Sequence, residues 1–464
     1  MTVGTSPSLD RRLGPLDAAV IVISNVIGVG IFTTPGVVAG MLPNAAAMLT
    51  VWIVGGALAF AGALAYAELA ARRPQAGGEY VYLRESFGGL AAFLTGWTSF
   101  VAGFSGAIAA SAVGVAAYLD RFLPGAGSTR AIGAWSAGPF GVTVSPRSLV
   151  AIVIIVAIAV IHARGLGPGR LFQNALTLVK IGGLVTFVLV GFVAAGPAAP
   201  AAAVSPGLAP VSWHIWLLAL VPVMFSYSGW NAAVYVAEEV RAPVRNLPRA
   251  LAAGTVTVVA LYLALNALYL RVVPLNALAG SVSVGAMAAA SLFGSAAGTI
   301  VAALTIVIIL GSLSAMTLAG PRVYFAMARD GAFFPAAASV HSRYRTPANA
   351  IFAQATWSSL LVLSGTFEQL LTYTGFAVIL FSALAVLSLF VVRRRPAEAR
   401  SFRTWGYPWA PATFCLVGFA IVVNTILQAP RVAFAGLTII AAGIPVYWWT
   451  RTRKRETARN DDVL

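Results

Sequence analysis

The 464-residue chain is 59% hydrophobic and only 9% charged, with a mean hydropathy of +0.87, against roughly 45–50% apolar and about 25% charged in soluble domains. No soluble globule of this size can hide that much apolar surface, which excludes a soluble enzyme, a disordered chain and a disulfide scaffold. The formal charge of +16 does not indicate a nucleic-acid partner, because the Lys and Arg sit in short gaps between apolar runs and no basic face carries interleaved aromatics.

A membrane-crossing helix needs about 20 apolar residues. Twelve such runs follow one another, at 16–39, 45–71, 90–119, 148–164, 171–195, 212–238, 248–272, 296–321, 348–365, 367–392, 408–428 and 432–450. They predict an all-α membrane protein with 12 transmembrane helices. The runs are too long, and lack the polar alternation, for a membrane β-barrel. Residues 1–15 read as a polar tail, and the run that follows is too long for a cleaved signal peptide. With the N-terminus in the cytoplasm, 24 of the 30 Lys and Arg fall on the cytoplasmic side. Arg121, Arg130, Arg147, Arg271 and Arg431 fall outside, and Lys180 falls within span 5. That asymmetry predicts a multi-pass protein of the cell (plasma or inner) membrane with both termini cytoplasmic.

Span 1 contains Ser24-Asn25-Val26-Ile27-Gly28-Val29-Gly30-Ile31-Phe32-Thr33-Thr34-Pro35-Gly36, and span 6 contains Phe225-Ser226-Tyr227-Ser228-Gly229-Trp230-Asn231. Small, helix-weak residues near the middle of both suggest interrupted helices. The spans are five apart, so they enter the membrane from opposite sides. Matched interruptions in oppositely oriented halves point to a transporter's substrate site, although a glycine pair alone can serve close helix packing. Beyond the first break, the N–H groups of Val29, Gly30 and Ile31 open a new half-helix whose positive dipole end suits a carboxylate. The preceding half-helices end in free carbonyls near Val26 and Phe225, which suit an ammonium. One anion site beside one cation site fits the backbone of a free amino acid. Asp17, Glu68, Glu238 and Glu239 lie near cytoplasmic helix ends, so the pocket is expected to be neutral. A transporter of amines or cationic amino acids would need an acidic group there, and a channel would need a polar ring along its pore.

Further sequence runs carry a resemblance. They are Gly77-Gly78-Glu79-Tyr80-Val81-Tyr82-Leu83, Glu238-Glu239, Pro321-Arg322-Val323-Tyr324 through Ala328-Arg329-Asp330-Gly331, and Phe402-Arg403-Thr404-Trp405-Gly406-Tyr407-Pro408. With Ile27-Gly28-Val29-Gly30-Ile31-Phe32 and Tyr227-Ser228-Gly229-Trp230-Asn231 they form an ordered set over essentially the whole chain. In this the chain resembles the amino acid–polyamine–organocation (APC) superfamily, and within it the L-type amino acid transporter branch and its bacterial relatives. The resemblance implies a LeuT-like fold: inverted five-helix repeats at 16–195 and 212–392, two extra helices at 408–450 and a basic cytoplasmic tail at 451–464. It implies sodium-independent transport of L-amino acids by alternating access, with no cofactor and no enzymatic step. The substrate carboxylate would meet the N–H groups of Val29 and Gly30, beside Gly28 and Ile31. The amino group would meet carbonyls of Val26, Phe225 and Ser228, and Phe225 would gate the site. Val29 stands where relatives often carry Ser, and Ser228 where many carry Gly. Animal members link a heavy chain through a cysteine between helices 3 and 4. Residues 120–147 contain none, so no such partner is expected.

Lys180 is one of two lysines beside 28 arginines, the other being Lys454. It lies about ten residues into span 5, or about 15 Å at 1.5 Å per residue, too deep for easy snorkelling. A lysine can carry and release a proton where arginine cannot. The resemblance places such a lysine where sodium-coupled relatives hold sodium, tied to the span 1 break and to Ser312 or Ser314 of helix 8. Trp230 reads as packing at the break or as a substrate contact. Glu79, Glu238 and Glu239 could pair with loop arginines as an inner gate. His162, His214 and His341 lack the pairing that haem ligation needs, Gly165-Leu166-Gly167-Pro168-Gly169 is a loop without a Walker lysine, and Cys415 is a packing residue. Arg393-Arg394-Arg395 and the C-terminal cluster suit anionic lipid.

Overall fold

In the computed structural model the described residues are 9–42, 44–137, 140–196, 211–281, 283–294, 297–365, 367–395 and 402–450, with the backbone alone at 136–137, 140 and 367–374. The basic tail at 451–464, Arg400 and residues 1–8 lie outside them. The helices are α1 (Pro15–Val26), α2 (Gly30–Met41), α3 (Ala45–Arg72), α4 (Glu79–Phe87), α5 (Gly89–Thr98), α6 (Phe104–Leu119), α7 (Pro146–Ala163), α8 (Leu166–Ala194), α9 (Trp213–Tyr227) and α10 (Ala232–Tyr235). They continue with α11 (Pro243–Val272), α12 (Leu275–Leu278), α13 (Val284–Phe293), α14 (Ala297–Arg329), α15 (Ala348–Ser364), α16 (Phe367–Val392), α17 (Trp409–Gln428) and α18 (Pro430–Ala441). One turn of π-helix, Ser99–Gly103, joins α5 to α6. Among the described residues nine helices are long and apolar enough to cross a membrane, and α1 with α2 makes a tenth across a 42° bend. The chain is a multi-pass integral membrane protein.

Its outer surface is apolar in the way a bilayer requires. On α8 the side chains of Leu171, Leu178 and Val193 are 73%, 74% and 81% exposed, a cost in water that becomes neutral against lipid tails. The polar groups are turned inward instead: Glu68, Lys180, Glu239 and Arg322 are fully buried. α1 packs against α11, α14 and α8, while α2 packs against α9, α12 and α13. The two halves of the first span therefore belong to different neighbourhoods, and the break between them lies at the centre of the bundle.

Three features depart from the sequence reading. Residues 9–14 are not a free tail: Leu9 and Leu13 are buried, and Leu13 pairs with Val240 in a parallel bridge. The N–H groups of Arg12 and Leu13 both donate to the Glu239 carbonyl at 2.9 Å. A β-hairpin, β1 (Gly133–Ala137) with β2 (Phe140–Val144), stands in the connection after α6, and the short helices α12 and α13 fill the connection after α11. Finally, α8 and α11 begin five residues before their apolar runs, and α14 continues to Arg329, its added residues 322–328 buried in the bundle.

Candidate functional site

The site is built by two breaks that touch. α1 ends at Val26, Ile27 turns extended, and α2 restarts at Gly30. α9 ends at Tyr227, Ser228 leaves the helix, and Gly229 takes φ of +105°. A side chain at Gly229 would be strained, and its Cβ would lie 2.6 Å from Asn25 Oδ1 and 3.0 Å from the Asn25 carbonyl carbon. Glycine is what lets the two breaks meet. A Cβ at Gly30 would lie 2.8 Å from Ser226 Oγ and 3.3 Å from its Cα, and one at Gly28 would lie 3.0 Å from Ser312 Oγ. Gly30 thus allows α2 to approach α9, and Gly28 allows the break to approach α14.

Around these breaks lies a cavity of about 200 Å³. Val26, Gly28, Val29, Gly30, Phe225, Ser228, Trp230 and Ser312 line it; Ile31, Lys180 and Ser314 do not. Ile31 is fully buried in the apolar core. Phe32 N–H donates to Val29 O at 3.0 Å, so the amides ahead of it open α2 with no helical acceptor before them. The Val26 carbonyl already accepts a 2.9 Å bond from Tyr262 of α11, whose hydroxyl also reaches Ser226 O at 3.3 Å. Ser228 N–H bonds the Phe225 carbonyl at 3.0 Å. Each carbonyl retains its second lone pair. Trp230 is almost wholly buried, edge-on to Tyr66 at 4.8 Å and to Phe414 at 5.9 Å, which makes it chiefly a packing residue with one face on the cavity.

Lys180 lies behind the break. Its Nζ donates to Ser24 O at 3.1 Å, Ser24 Oγ at 3.2 Å and Ile27 O at 2.6 Å, which uses all three N–H groups of an ammonium. Its hydrogen-bonded link to α14 is indirect. Ser24 Oγ donates to Gly311 O at 2.9 Å, Ser312 Oγ donates to Asn25 O at 3.4 Å, and Ser314 faces away and shares a 2.8 Å bond with His162 Nε2.

The acidic residues divide. Glu239 and Arg322 form a fully buried pair at 2.7 Å, Glu238 pairs with Arg329 at 3.1 Å, and Glu68 holds Arg393 at 2.6 Å and Arg72 at 2.9 Å. Of the basic run before residue 396, Arg395 also pairs, with Glu85 at 2.8 Å. Glu79 is different. Among the described residues it meets no arginine: its Oε1 accepts from Tyr66 OH at 2.6 Å and Asn231 Nδ2 at 2.7 Å, and the residue lines the cavity. The expectation of a cavity without any acidic group is corrected here, because a loop residue is folded back onto the break. Sequence reasoning also missed Asn25, whose Nδ2 faces this region without a partner, and Tyr235 and Tyr262. Glu79 itself was marked in the sequence by the run Gly77-Gly78-Glu79, as an inner-gate residue rather than a cavity one.

A helical membrane bundle with interrupted helices meeting at a central cavity defines the secondary-transporter class. The chain belongs to the amino acid permease family of the APC superfamily, whose model matches residues 13–449; it is a transporter and not an enzyme. It is similar to the serine/threonine exchanger SteT of Bacillus subtilis (strain 168), with 28% identity over 453 residues, 96% of this chain and 98% of that protein. The Asc-type amino acid transporter 1 of Mus musculus is 26% identical over 452 residues, 95% of this chain and 81% of that protein. The large neutral amino acids transporter small subunit 2 of Homo sapiens is 27% identical over 457 residues, 96% of this chain and 81% of that protein.

Proposed function

We propose that the protein is a sodium-independent secondary transporter of neutral L-amino acids working by alternating access. The observation that carries this is the meeting of the two breaks at one cavity. The leading amides of α2 suit the substrate carboxylate, and the carbonyls ending α1 and α9 suit its ammonium. Lys180, with its three donors on the end of α1, supplies the fixed cation that a bound sodium ion would otherwise provide. The names of the similar proteins, a serine/threonine exchanger among them, support an amino acid substrate.

In this reading α9 with α10, and the 17-residue α15, complete twelve spans. Residues 16–195 and 212–392 form inverted repeats, 408–450 adds two helices, and both termini lie in the cytoplasm of a cell in whose membrane the protein sits. Phe225 closes the cavity from outside, while Glu238 and Glu239 with their arginines close it from inside. The tail at 451–464 and Arg394 meet anionic lipid, and no disulfide-linked heavy chain is required.

The test is uptake of labelled neutral amino acids into liposomes. Uptake proceeds with sodium replaced by choline, and counterflow accumulates label, which a channel cannot do. A decarboxylated amine that competes as well as its parent amino acid would show that the α2 amides bind no carboxylate.

A further inference from the structure

Among the described residues Glu79 is the one cavity-lining carboxylate, and nothing in the substrate site described above uses it. The loop puts it there by close approach. Gly78 takes φ of +52°, and a Cβ on it would lie 2.7 Å from the Tyr235 ring. Gly77 N–H donates to Tyr235 O at 3.3 Å. The first residue of α4 is thereby pressed against α10, just past the second break.

We infer that Glu79 carries a proton through the transport cycle, so that amino acid uptake is coupled to proton entry. The inference rests on the transport reading above. Three observations support it. First, the carboxyl has no cationic partner among the described residues. The groups facing it are the phenols of Tyr66 on α3, Tyr82 on α4 and Tyr235 on α10, and the amide of Asn231. Ser382 of α16 reaches it only through Tyr66. Charges of the same end are committed elsewhere: Arg322 to Glu239, Arg329 to Glu238, Arg393 to Glu68, and Arg84 with Tyr80 to Asp330. Second, the bonds from Tyr66 and Asn231 both fall on Oε1, so neither of them occupies Oε2. Third, burial raises the Glu79 pKa and outweighs the three side-chain hydrogen bonds that favour its anion. Lys180, by contrast, has every N–H occupied.

The proton passes from outer water to Oε2 while the cavity opens outward, and it leaves to cytoplasmic water. Release comes when α10 parts from α4, breaking the Asn231 bond and hydrating the carboxylate. The sign follows from the raised pKa. Protonation stabilises the closed contact of α4 with α10, and that stability is lost as pH rises through the elevated pKa.

The experiment measures protons and substrate together in liposomes containing a trapped pH dye, at clamped membrane potential. A neutral amino acid that supports wild-type counterflow is used as substrate. The wild type should acidify the lumen in proportion to uptake, and an acidic exterior should raise uptake several-fold. Glu79→Gln keeps an acceptor for Tyr66 and Asn231 but cannot titrate, and its proton-to-substrate ratio should fall to background. Glu79→Asp should retain a ratio above background. Counterflow without net uptake, or net uptake without lumen acidification, overturns the inference and leaves the transport reading intact, whereas absent counterflow overturns that reading. An unchanged ratio in Glu79→Gln, or Glu79-dependent uptake of a cationic amino acid without protons, also overturns it.

Discussion

At the scale of the residue, Lys180 shows what a sequence can and cannot give. Its depth in an arginine-rich chain made it legible as a buried cation, because nothing else explains a lysine so far from an aqueous end. Its partners were legible only in part. Ser24 and Ile27 were near the expected break, but no pattern distinguishes a serine that faces Lys180 from Ser314, which faces His162. The same holds for Gly30. Its presence marks a close approach, while the approaching atoms, those of Ser226, are visible only in the fold. Lys180→Ala should insert normally and lower transport roughly tenfold or more, since losing one charge-assisted bond of about 1.5–3 kcal/mol suffices when it differs between states. Lys180→Arg should not rescue, because a planar guanidinium cannot make the same three contacts in a site this enclosed. Initial uptake rates at matched membrane expression measure both. Wild-type rates in Lys180→Ala would leave the residue with no part in transport.

At the scale of the element, the apolar runs anticipated where the long helices lie, because lipid forces each spanning backbone to bond to itself, but not the ends of α8, α11 and α14, which run on past them. The breaks were legible for the complementary reason: Gly28-Val29-Gly30 and Ser228-Gly229 are poor helix formers, and their matched places in spans five apart set them aside from glycines that serve packing alone. What stayed hidden was the short structure between spans. β1, β2, α12 and α13 hold too few residues for a period to emerge, and α4 draws its place from Gly77 and Gly78 docking on Tyr235. The second break makes a direct prediction. Gly229→Ala must adopt a backbone that disfavours a side chain, at a cost of about 1–3 kcal/mol, and its Cβ must also push back Asn25. The melting temperature of the purified protein should fall, and substrate should protect the variant less than it protects the wild type. A variant as stable and as well protected as the wild type would mean that the breaks separate freely.

At the scale of the whole molecule, the arginine-rich end is shut in layers. The Glu239–Arg322 pair is fully buried, the Glu238–Arg329 and Glu68–Arg393 pairs surround it, and residues 9–13 lie across Glu238 and Glu239 through backbone bonds. Glu239 sits just after α10 and Arg322 on α14, so parting these two elements separates a carboxylate from a guanidinium that are both fully buried. Buried pairs add little to stability when intact, but removing one partner strands the other at a cost of about 3–5 kcal/mol. Arg322→Ala should therefore weaken the closed arrangement far more than the open one, where water can reach Glu239. The single cysteine, Cys415, is buried, so a Cys415→Ser background gives a clean reporter. With Ser228→Cys placed on the cavity wall, a membrane-impermeant thiol reagent applied from the arginine-rich side should label the Arg322→Ala variant several-fold faster than its parent. Labelling from the opposite side should slow. Adding Glu239→Gln removes the stranded charge and should return both rates toward the parent. Equal labelling in all three proteins would mean that this pair holds the helices together without holding the cavity shut.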